Sequence, residues 1–175
     1  MSIKTIETIL DSGYVQRFHA QPHMPKQDLA QHQWRVAMLL HHFYTHVPPE
    51  AVYYALTHDC AELATGDIPS PVKRASESIR DAVSAVEDDF NAEHRTGDMN
   101  AIASHPVSSL WRSRVKLCDM IEGLRFCAEC VMTGNQFAKD VGKKWLEYLD
   151  SYPAPQTEEM VMFIAKQNKI LTGEK

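Results

Sequence analysis

The chain has 175 residues, with 18 Lys plus Arg against 23 Asp plus Glu, and so carries a formal net charge of −5. A chain of this length is expected to form one domain, residues 1–175, whose core needs no disulfide or structural metal. The net acidity argues against a nucleic acid polymer as partner, because binding one needs clustered Lys and Arg to displace counterions from the phosphates.

The N-terminal segment gives no sign of export or of membrane insertion. It carries Glu7 and Asp11, and it lacks the basic start and the apolar run of a signal peptide. The longest apolar stretches, such as residues 36–40, fall far short of the roughly 20 residues that span a bilayer. We therefore expect a cytoplasmic protein without a membrane partner, whose four cysteines stay reduced.

Apolar residues recur at helical spacing through the first third of the chain. A short first helix ends at Ser12-Gly13, and residues 14–27, with two prolines and no sustained period, indicate a loop. Asp28 is a candidate N-cap for a second helix that reaches about His46. The apolar positions of this second helix are Leu29, Trp34, Val36, Ala37, Leu40, Phe43 and Tyr44.

A third helix begins near Pro49 and extends to about Ala64, because proline is tolerated in a first turn and Glu50 favours the helix dipole. The next residues, 65–71, read Thr-Gly-Asp-Ile-Pro-Ser-Pro. Glycine and two prolines break helices, so this segment is predicted to be non-helical.

The rest of the chain repeats the helical pattern. It predicts a fourth helix over 77–93, a polar loop over 95–106, a helix over 107–132, and two more near 136–150 and 157–171. No alternating strand pattern or hairpin signal of useful length occurs. The sequence therefore predicts an all-α bundle of about seven helices.

The adjacent pair His58-Asp59 lies inside the third predicted helix, where a buried charge beside an imidazole is costly without a partner. A divalent metal is a suitable partner, since imidazole nitrogen and carboxylate oxygen together suit zinc, manganese, cobalt or iron(II). His32 in the second helix and Asp119 in the fifth lie in otherwise apolar patterns. Three helices are thus able to converge on one ion.

The order His32, His58-Asp59, Asp119 resembles the H…HD…D signature of the HD-domain phosphohydrolases, an all-α metalloenzyme superfamily. Residues 58–73, HDCAELATGDIPSPVK, resemble the HD-x-x-E-x-x-T-G-D-x-P-x-P-x-K segment of the bacterial HD-domain 5′-deoxyribonucleotidases. The same segment also resembles the short phage dATP triphosphohydrolases of viruses that carry 2-aminoadenine in their DNA.

Two flanking motifs extend this resemblance to about residues 14–135. Arg17-Phe18 resembles an Arg-Trp pair before the first metal histidine, and Val115-Lys116-x-x-Asp119 resembles the V-K-x-x-D run around the last ligand. The chain departs from the family by having the smaller ring of Phe18. It also has Gln31 before His32 where relatives often have Glu, so no carboxylate that orients His32 is identified there.

The resemblance implies one or more divalent metal ions, zinc, cobalt, manganese or magnesium, held by His32, His58, Asp59 and Asp119. Glu62 lies three residues after Asp59, within reach of a metal-held water, and is the predicted general base or a ligand of a second catalytic ion. Asp67 is predicted to accept a hydrogen bond from the sugar 3′-hydroxyl or to join in holding an additional metal.

The predicted substrate contacts surround these groups. Arg17, Lys73 and Lys116 are expected to supply positive charge to phosphates, and Phe18 to stack on the base or to close over C2′ of the sugar. Pro69 belongs to a stiff wall against which a flat base rests. The residues expected to distinguish adenine from 2-aminoadenine are Phe18, His19 and Ala20.

The implied reaction is hydrolysis at the α-phosphorus of a purine deoxynucleotide. The lead substrate is dATP, which gives deoxyadenosine and tripolyphosphate; the alternative is a deoxynucleoside 5′-monophosphate. A third reading is a catalytically idle HD module that binds a nucleotide as a regulator, against which Glu62 and Asp67 argue because an idle module has no need for them. Related enzymes imply a homo-oligomer, a dimer or a hexamer.

Overall fold

The computed structural model describes residues 3–21, 24–97 and 107–174. The helices of these ranges are α1 (Ile3–Ser12), α2 (Leu29–Phe43), α3 (Pro49–Thr57), α4 (Glu62–Thr65), α5 (Ser70–Ala75), α6 (Glu77–His94), α7 (Ser109–Met132), α8 (Ala138–Ser151) and α9 (Glu158–Thr172). Two short strands, β1 (Gln16–Arg17) and β2 (Gln27–Asp28), pair antiparallel. The predicted all-α class is confirmed. The predicted loop over 95–106 lies outside the described residues from residue 98 onward.

Helix α7 is the centre of the bundle and packs against α2, α3, α8 and α9. Its buried residues extend around the whole helix from Leu117 to Leu124, as expected for a helix enclosed by others. The side chain of Ser108 caps its first turn by accepting from the backbone N–H of Trp111. Asp119 thus lies on the element that the core holds most firmly. None of the helices in the three described ranges is long and apolar enough to cross a membrane.

The second predicted helix is confirmed at its start and corrected at its end. The Asp28 side chain accepts a hydrogen bond from the backbone N–H of Gln31, as an N-cap does. The helix ends at Phe43 rather than near His46, because Tyr44 is extended and His46 takes a left-handed backbone. Trp34, one of the apolar positions of the predicted helix, is 58% exposed. It lies about 160° around the helix from the buried Val36, given 100° per residue.

The third predicted helix is two helices separated by a turn at residues 58–61. After Thr57 the hydrogen bonds tighten to an i→i+3 pattern, with the N–H of Cys60 bonded to the oxygen of Thr57 and the N–H of Glu62 to the oxygen of Asp59. The sequence contains no glycine or proline to mark this break. As a result the His58-Asp59 pair lies in a turn and not within a continuous helix.

The segment 65–71 is only partly non-helical, because α5 begins at Ser70 and has proline in its first turn. Proline is tolerated there since the first N–H groups of a helix have no partner within it. The β1–β2 pair was not expected, because two residues per strand are too few for an alternating pattern. This pair holds Arg17 opposite Gln27, next to the start of α2.

Candidate active site

Four side chains from three parts of the bundle converge on one point. His32 comes from the first turns of α2, His58 and Asp59 from the turn after α3, and Asp119 from the middle of α7. One ligand-type atom from each of the four lies within 4.8 Å of the others. The structure therefore brings together the four residues that the sequence predicted as metal ligands.

Both histidines present the same nitrogen to this point. Nδ1 of His58 lies 3.0 Å from the carbonyl oxygen of Ala55, to which it donates, and Nδ1 of His32 lies 2.7 Å from a carboxylate oxygen of Glu122. The Nε2 atoms of both rings are buried and have no hydrogen-bond partner among the described residues. Buried polar nitrogens are rarely left unpaired, so two on one point, beside two carboxylates, fit a divalent cation.

Glu122 is a site residue that no sequence motif predicted. It lies one turn after Asp119 on α7, is 1% exposed, and supplies the carboxylate for His32 that Gln31 does not. Its other oxygen accepts a hydrogen bond from the Gln27 amide at 2.7 Å. The available signal was the i, i+3 spacing of two acids in the otherwise apolar run from Leu117 to Leu124, because a buried acid requires a partner.

Arg17 lies between the metal-ligand cluster and this second carboxylate. Its guanidinium is 3.4 Å from Glu122 and 3.8 Å from Asp119, and it donates to Gln27 across the two-stranded sheet. Burial on its own would raise the pKa of Asp119, but Lys116, His32 and Arg17 hold that pKa well below its ordinary value. Asp119 is therefore a carboxylate at neutral pH, as a metal ligand must be.

Glu62 is the first residue of α4 and lies beside the cluster. Its side chain is buried, and its Oε2 has no hydrogen-bond partner among the described residues. Burial, followed by the negative charges of Asp59 and Asp67, raises the pKa of Glu62 to about 9. A carboxyl group with these properties, close to a metal-ligand cluster, suits proton transfer.

Asp67 connects the α4–α5 segment to the loop that contains Phe18. One of its carboxylate oxygens accepts a hydrogen bond from the backbone N–H of Phe18 at 3.2 Å and lies 3.8 Å from Nδ1 of His19. Phe18 has a left-handed backbone with a φ of 59°. Its ring stacks on that of Phe126 at 5.0 Å. The loop geometry is thus fixed from both sides.

A pocket formed by described residues opens beside the cluster. Four acidic residues line it: Asp59, Glu62, Asp67 and Asp119. All seven residues predicted to contact substrate also line it: Arg17, Phe18, His19, Ala20, Pro69, Lys73 and Lys116. Asp59 and Asp119 of the metal-ligand cluster line it on one side, and the proline segment at the start of α5 lines another. The predicted residues therefore share one cavity, although 102 positions separate Arg17 from Asp119 in the chain.

The two predicted phosphate-binding lysines are each paired with an acid. Nζ of Lys73 lies 3.1 Å from a carboxylate oxygen of Glu87 on α6, and Nζ of Lys116 lies 2.6 Å from Asp119. Part of their positive charge is therefore already neutralised within the protein.

A further wall of the pocket comes from α8, for which the sequence predicted no part in the site. Val141, Lys144, Trp145 and Tyr148 line the cavity and share one face of that helix. Locally this segment has the pattern of an ordinary amphipathic helix. Its place at the pocket depends on packing between α7 and α8, which no local motif indicates.

Comparisons with known proteins agree with this geometry. The profile of the YfbR-like 5′-deoxynucleotidases matches residues 5–169. A dATP triphosphohydrolase of cyanophage S-2L is 27% identical over 134 residues, 72% of each chain, and a 5′-deoxynucleotidase of Shewanella oneidensis is 24% identical over 162 residues, 81% of each chain. The solved structure of the cyanophage S-2L HD phosphohydrolase, bound to dA and one catalytic Zn²⁺ ion, superposes with a TM-score of 0.68 over 99% of both chains at 20% identity. That likeness confirms the predicted HD-domain fold.

Proposed function

Because the chain belongs to the YfbR-like family of 5′-deoxynucleotidases, we propose that it is a metal-dependent hydrolase of purine deoxynucleotides whose lead substrate is dATP. The products are deoxyadenosine and tripolyphosphate, and the reaction depletes the dATP pool. The observation that carries this proposal is the pair of buried Nε2 atoms of His32 and His58, which have no hydrogen-bond partner among the described residues. They lie 3.2 and 3.3 Å from carboxylate oxygens of Asp119 and Asp59, the two members of the cluster that line the pocket.

The four clustered residues His32, His58, Asp59 and Asp119 are the proposed metal ligands. Two imidazoles and two carboxylates suit zinc, cobalt or manganese better than magnesium, which prefers oxygen ligands. Such a cation lowers the pKa of a water molecule and offsets the negative charge that develops on the phosphoryl group.

Glu62 is the proposed general base. Its Oε2 is buried, has no hydrogen-bond partner among the described residues and lies next to the ligand cluster. Without metal the pKa of Glu62 is about 9; a cation at the neighbouring cluster would lower that pKa, so that the carboxylate could take a proton from the attacking water. The water oxygen adds to the α-phosphorus, the bond between that phosphorus and O5′ breaks, and a proton is returned to O5′ of the departing nucleoside.

The other pocket residues are proposed to bind and orient the nucleotide. Arg17, Lys73 and Lys116 attract the phosphates, and Arg17 has the fork geometry for two parallel hydrogen bonds. Asp67 accepts from the sugar 3′-hydroxyl, and its fixed distance from the Phe18 backbone places the sugar beside that ring.

The base is proposed to lie between Phe18 and the wall that contains Pro69. His19 and Ala20, which follow Phe18 in the same loop, then lie next to the base edge and exclude the extra amino group of 2-aminoadenine. All four residues line the pocket, which supports this placement.

A 5′-deoxyribonucleotidase that acts on monophosphates is the second candidate, and the match to the family profile favours it. The dATP proposal is supported by two phage dATP triphosphohydrolases among the relatives, from cyanophage S-2L and Salmonella phage PMBT28. An idle nucleotide-binding regulator is the third candidate. The buried Oε2 of Glu62, which has no hydrogen-bond partner in the described part of the chain, argues against it, since a non-catalytic module gains nothing from that cost.

A homo-oligomer, a dimer or a hexamer, is part of the proposal, and a cytoplasmic location remains a prediction. Trp34 and Met38 are each more than half exposed and lie one turn apart on α2, which supports a contact with another copy. Light scattering on the purified protein gives the mass of the assembly. A monomer at all concentrations would contradict this part.

Incubation with dATP or with dAMP, in the presence of Co²⁺, Mn²⁺ or Zn²⁺, tests the function. Chromatography of the products identifies the reaction. Tripolyphosphate from dATP supports the lead substrate, and phosphate from dAMP alone supports the monophosphate alternative. Absence of turnover with every metal would contradict both enzyme readings and favour the regulator.

A further inference from the structure

Positive charge is concentrated at the pocket. Five of the 18 Lys and Arg residues line it, in a protein whose net charge is −5. Three of the five lie within 4.0 Å of a carboxylate: Arg17 of Glu122, Lys73 of Glu87 and Lys116 of Asp119. Arg17 and Lys116 lie beside Asp119 of the metal-ligand cluster, and Lys73 pairs with α6.

The other two cations, Arg74 and Lys144, have no carboxylate partner in the part of the chain that the structure describes. The guanidinium carbon of Arg74 lies 4.4 Å from the centre of the Tyr148 ring. Lys144 precedes Tyr148 by four residues on α8, which places the two side chains on one face of the helix. Both positive charges therefore lie by the same turn of α8, and neither is neutralised.

Helix α8 is fixed relative to the α7 helix that bears Asp119. The Trp145 indole rests directly on Gly123 of α7, so closely that a Cβ at this glycine would lie 2.7 Å from Cε2 of the ring. Gly142 makes room for Leu171 in the same way on another side of α8. The helix that carries Lys144, and the Tyr148 ring on which Arg74 stacks, are thus held at a set position relative to α7.

We propose that Arg74 and Lys144 form a binding site for the phosphates beyond the α-phosphate, the polyphosphate tail of a nucleoside triphosphate. The inference rests on the proposed function, in which the α-phosphate binds at the cluster. Two cations without a counter-charge in one pocket repel each other, and a bound polyphosphate removes that repulsion. A monophosphate has no group to reach them, so these residues favour triphosphate over monophosphate.

Tripolyphosphate is the probe that tests this site without turnover. Isothermal titration of the zinc-loaded protein with tripolyphosphate is expected to show affinity losses of about 10- to 100-fold for Arg74→Gln and for Lys144→Gln, because each removes a charge-assisted contact. Lys143→Gln is the matched control, since Lys143 is adjacent, exposed and paired with Asp140, and does not line the pocket. Unchanged affinity in both test variants, or an equal loss in the control, would overturn the proposal.

Two further measurements separate charge from packing and separate this site from the proposed function. Arg74→Lys keeps the charge and is expected to retain most of the affinity; a loss equal to that of Arg74→Gln would show that stacking on Tyr148 matters instead, and would overturn the ionic role. A protein that hydrolyses only dAMP, yet loses tripolyphosphate affinity in both test variants, would contradict the dATP proposal while supporting this site. Hydrolysis of dATP together with unchanged tripolyphosphate affinity in both variants would support the dATP proposal and overturn this site.

Discussion

The carboxylate of Glu122 accepts a hydrogen bond from Nδ1 of His32 at 2.7 Å. Glu122 lies on α7, one turn after Asp119. Since an ionised carboxylate only accepts, Nδ1 must carry the hydrogen, and Nε2 is left to face the cluster. Helix α7 therefore supplies both a proposed ligand and the group that orients another. Gln27, Arg17 and Arg35 in turn surround Glu122.

Removal of this orienting carboxylate is expected to weaken the metal site. Glu122→Ala should lower zinc affinity by about 10- to 100-fold, because His32 loses its fixed ring orientation. Glu122→Gln should lose less, since its amide oxygen still accepts from Nδ1. Titration with zinc in competition with a chelator measures both. Glu129→Gln is the control, because Glu129 also pairs with Arg35 but does not touch His32. Equal zinc affinities in the unmodified protein and in all three variants would contradict this role of Glu122.

Metal binding and catalysis are expected to separate between Asp59 and Glu62. Asp59→Ala should abolish metal binding, because it removes one of the four clustered ligand atoms. Glu62→Ala should keep the metal while turnover falls by about 10²- to 10⁴-fold, the usual contribution of a general base. Metal content by mass spectrometry and initial rates on one preparation give both values. The opposite pattern would mean that the two roles are exchanged.

The stability of the metal-free protein should depend on the ionisation of Glu62. Its pKa is about 9 in the fold against an ordinary value of 4.5, so between these values the native state holds a proton that the unfolded state has lost. The free energy of unfolding therefore falls as pH rises through this window, by at most about 1.4 kcal/mol per pH unit from this group. Glu62→Gln cannot ionise and removes this contribution.

Urea unfolding in the presence of a chelator, at pH 5, 6, 7 and 8, checks the sign. The variant should gain stability relative to the unmodified protein as pH rises. A difference that stays constant, or that shrinks toward pH 8, would show that burial does not hold the proton on Glu62.

Gly123 is expected to tolerate no side chain despite its place in the middle of a helix. Alanine is favoured over glycine there by about 1 kcal/mol of helix propensity, but its Cβ would lie 2.7 Å from the Trp145 ring. Gly123→Ala should therefore destabilise the protein by about 1–3 kcal/mol, as overpacking does. In the background of Trp145→Leu the same change should cost much less. Urea unfolding of the unmodified protein, the two single variants and the double variant tests this. Additive changes in the free energy of unfolding would refute the contact.

Local sequence predicted the parts of the site that local structure builds. His58, Asp59, Glu62 and Asp67 lie within ten residues, so their shared neighbourhood follows from the turns that connect them. The cap at Asp28 was likewise predictable, since a cap involves only the next three residues. The break after Thr57 was not, because it results from tightened hydrogen bonds and leaves no mark in composition.

The parts that sequence missed depend on packing between distant helices. Glu122 serves His32 across 90 residues of chain, and Trp145 and Tyr148 reach the pocket only because α8 lies on α7. The exposure of Trp34 did not follow from its apolar character, which the helical pattern counts without regard to its angle around the helix. The angle alone would have placed Trp34 opposite Val36.

Hydrolysis of dATP in ¹⁸O-labelled water tests the central claim most directly. Attack at the α-phosphorus with cleavage of the bond to O5′ predicts one ¹⁸O atom in the released tripolyphosphate and none in deoxyadenosine, as read by mass spectrometry. The Asp59→Ala variant should form neither product. Release of labelled orthophosphate or pyrophosphate from dATP, or label in the 5′-hydroxyl of deoxyadenosine, would contradict the proposed reaction.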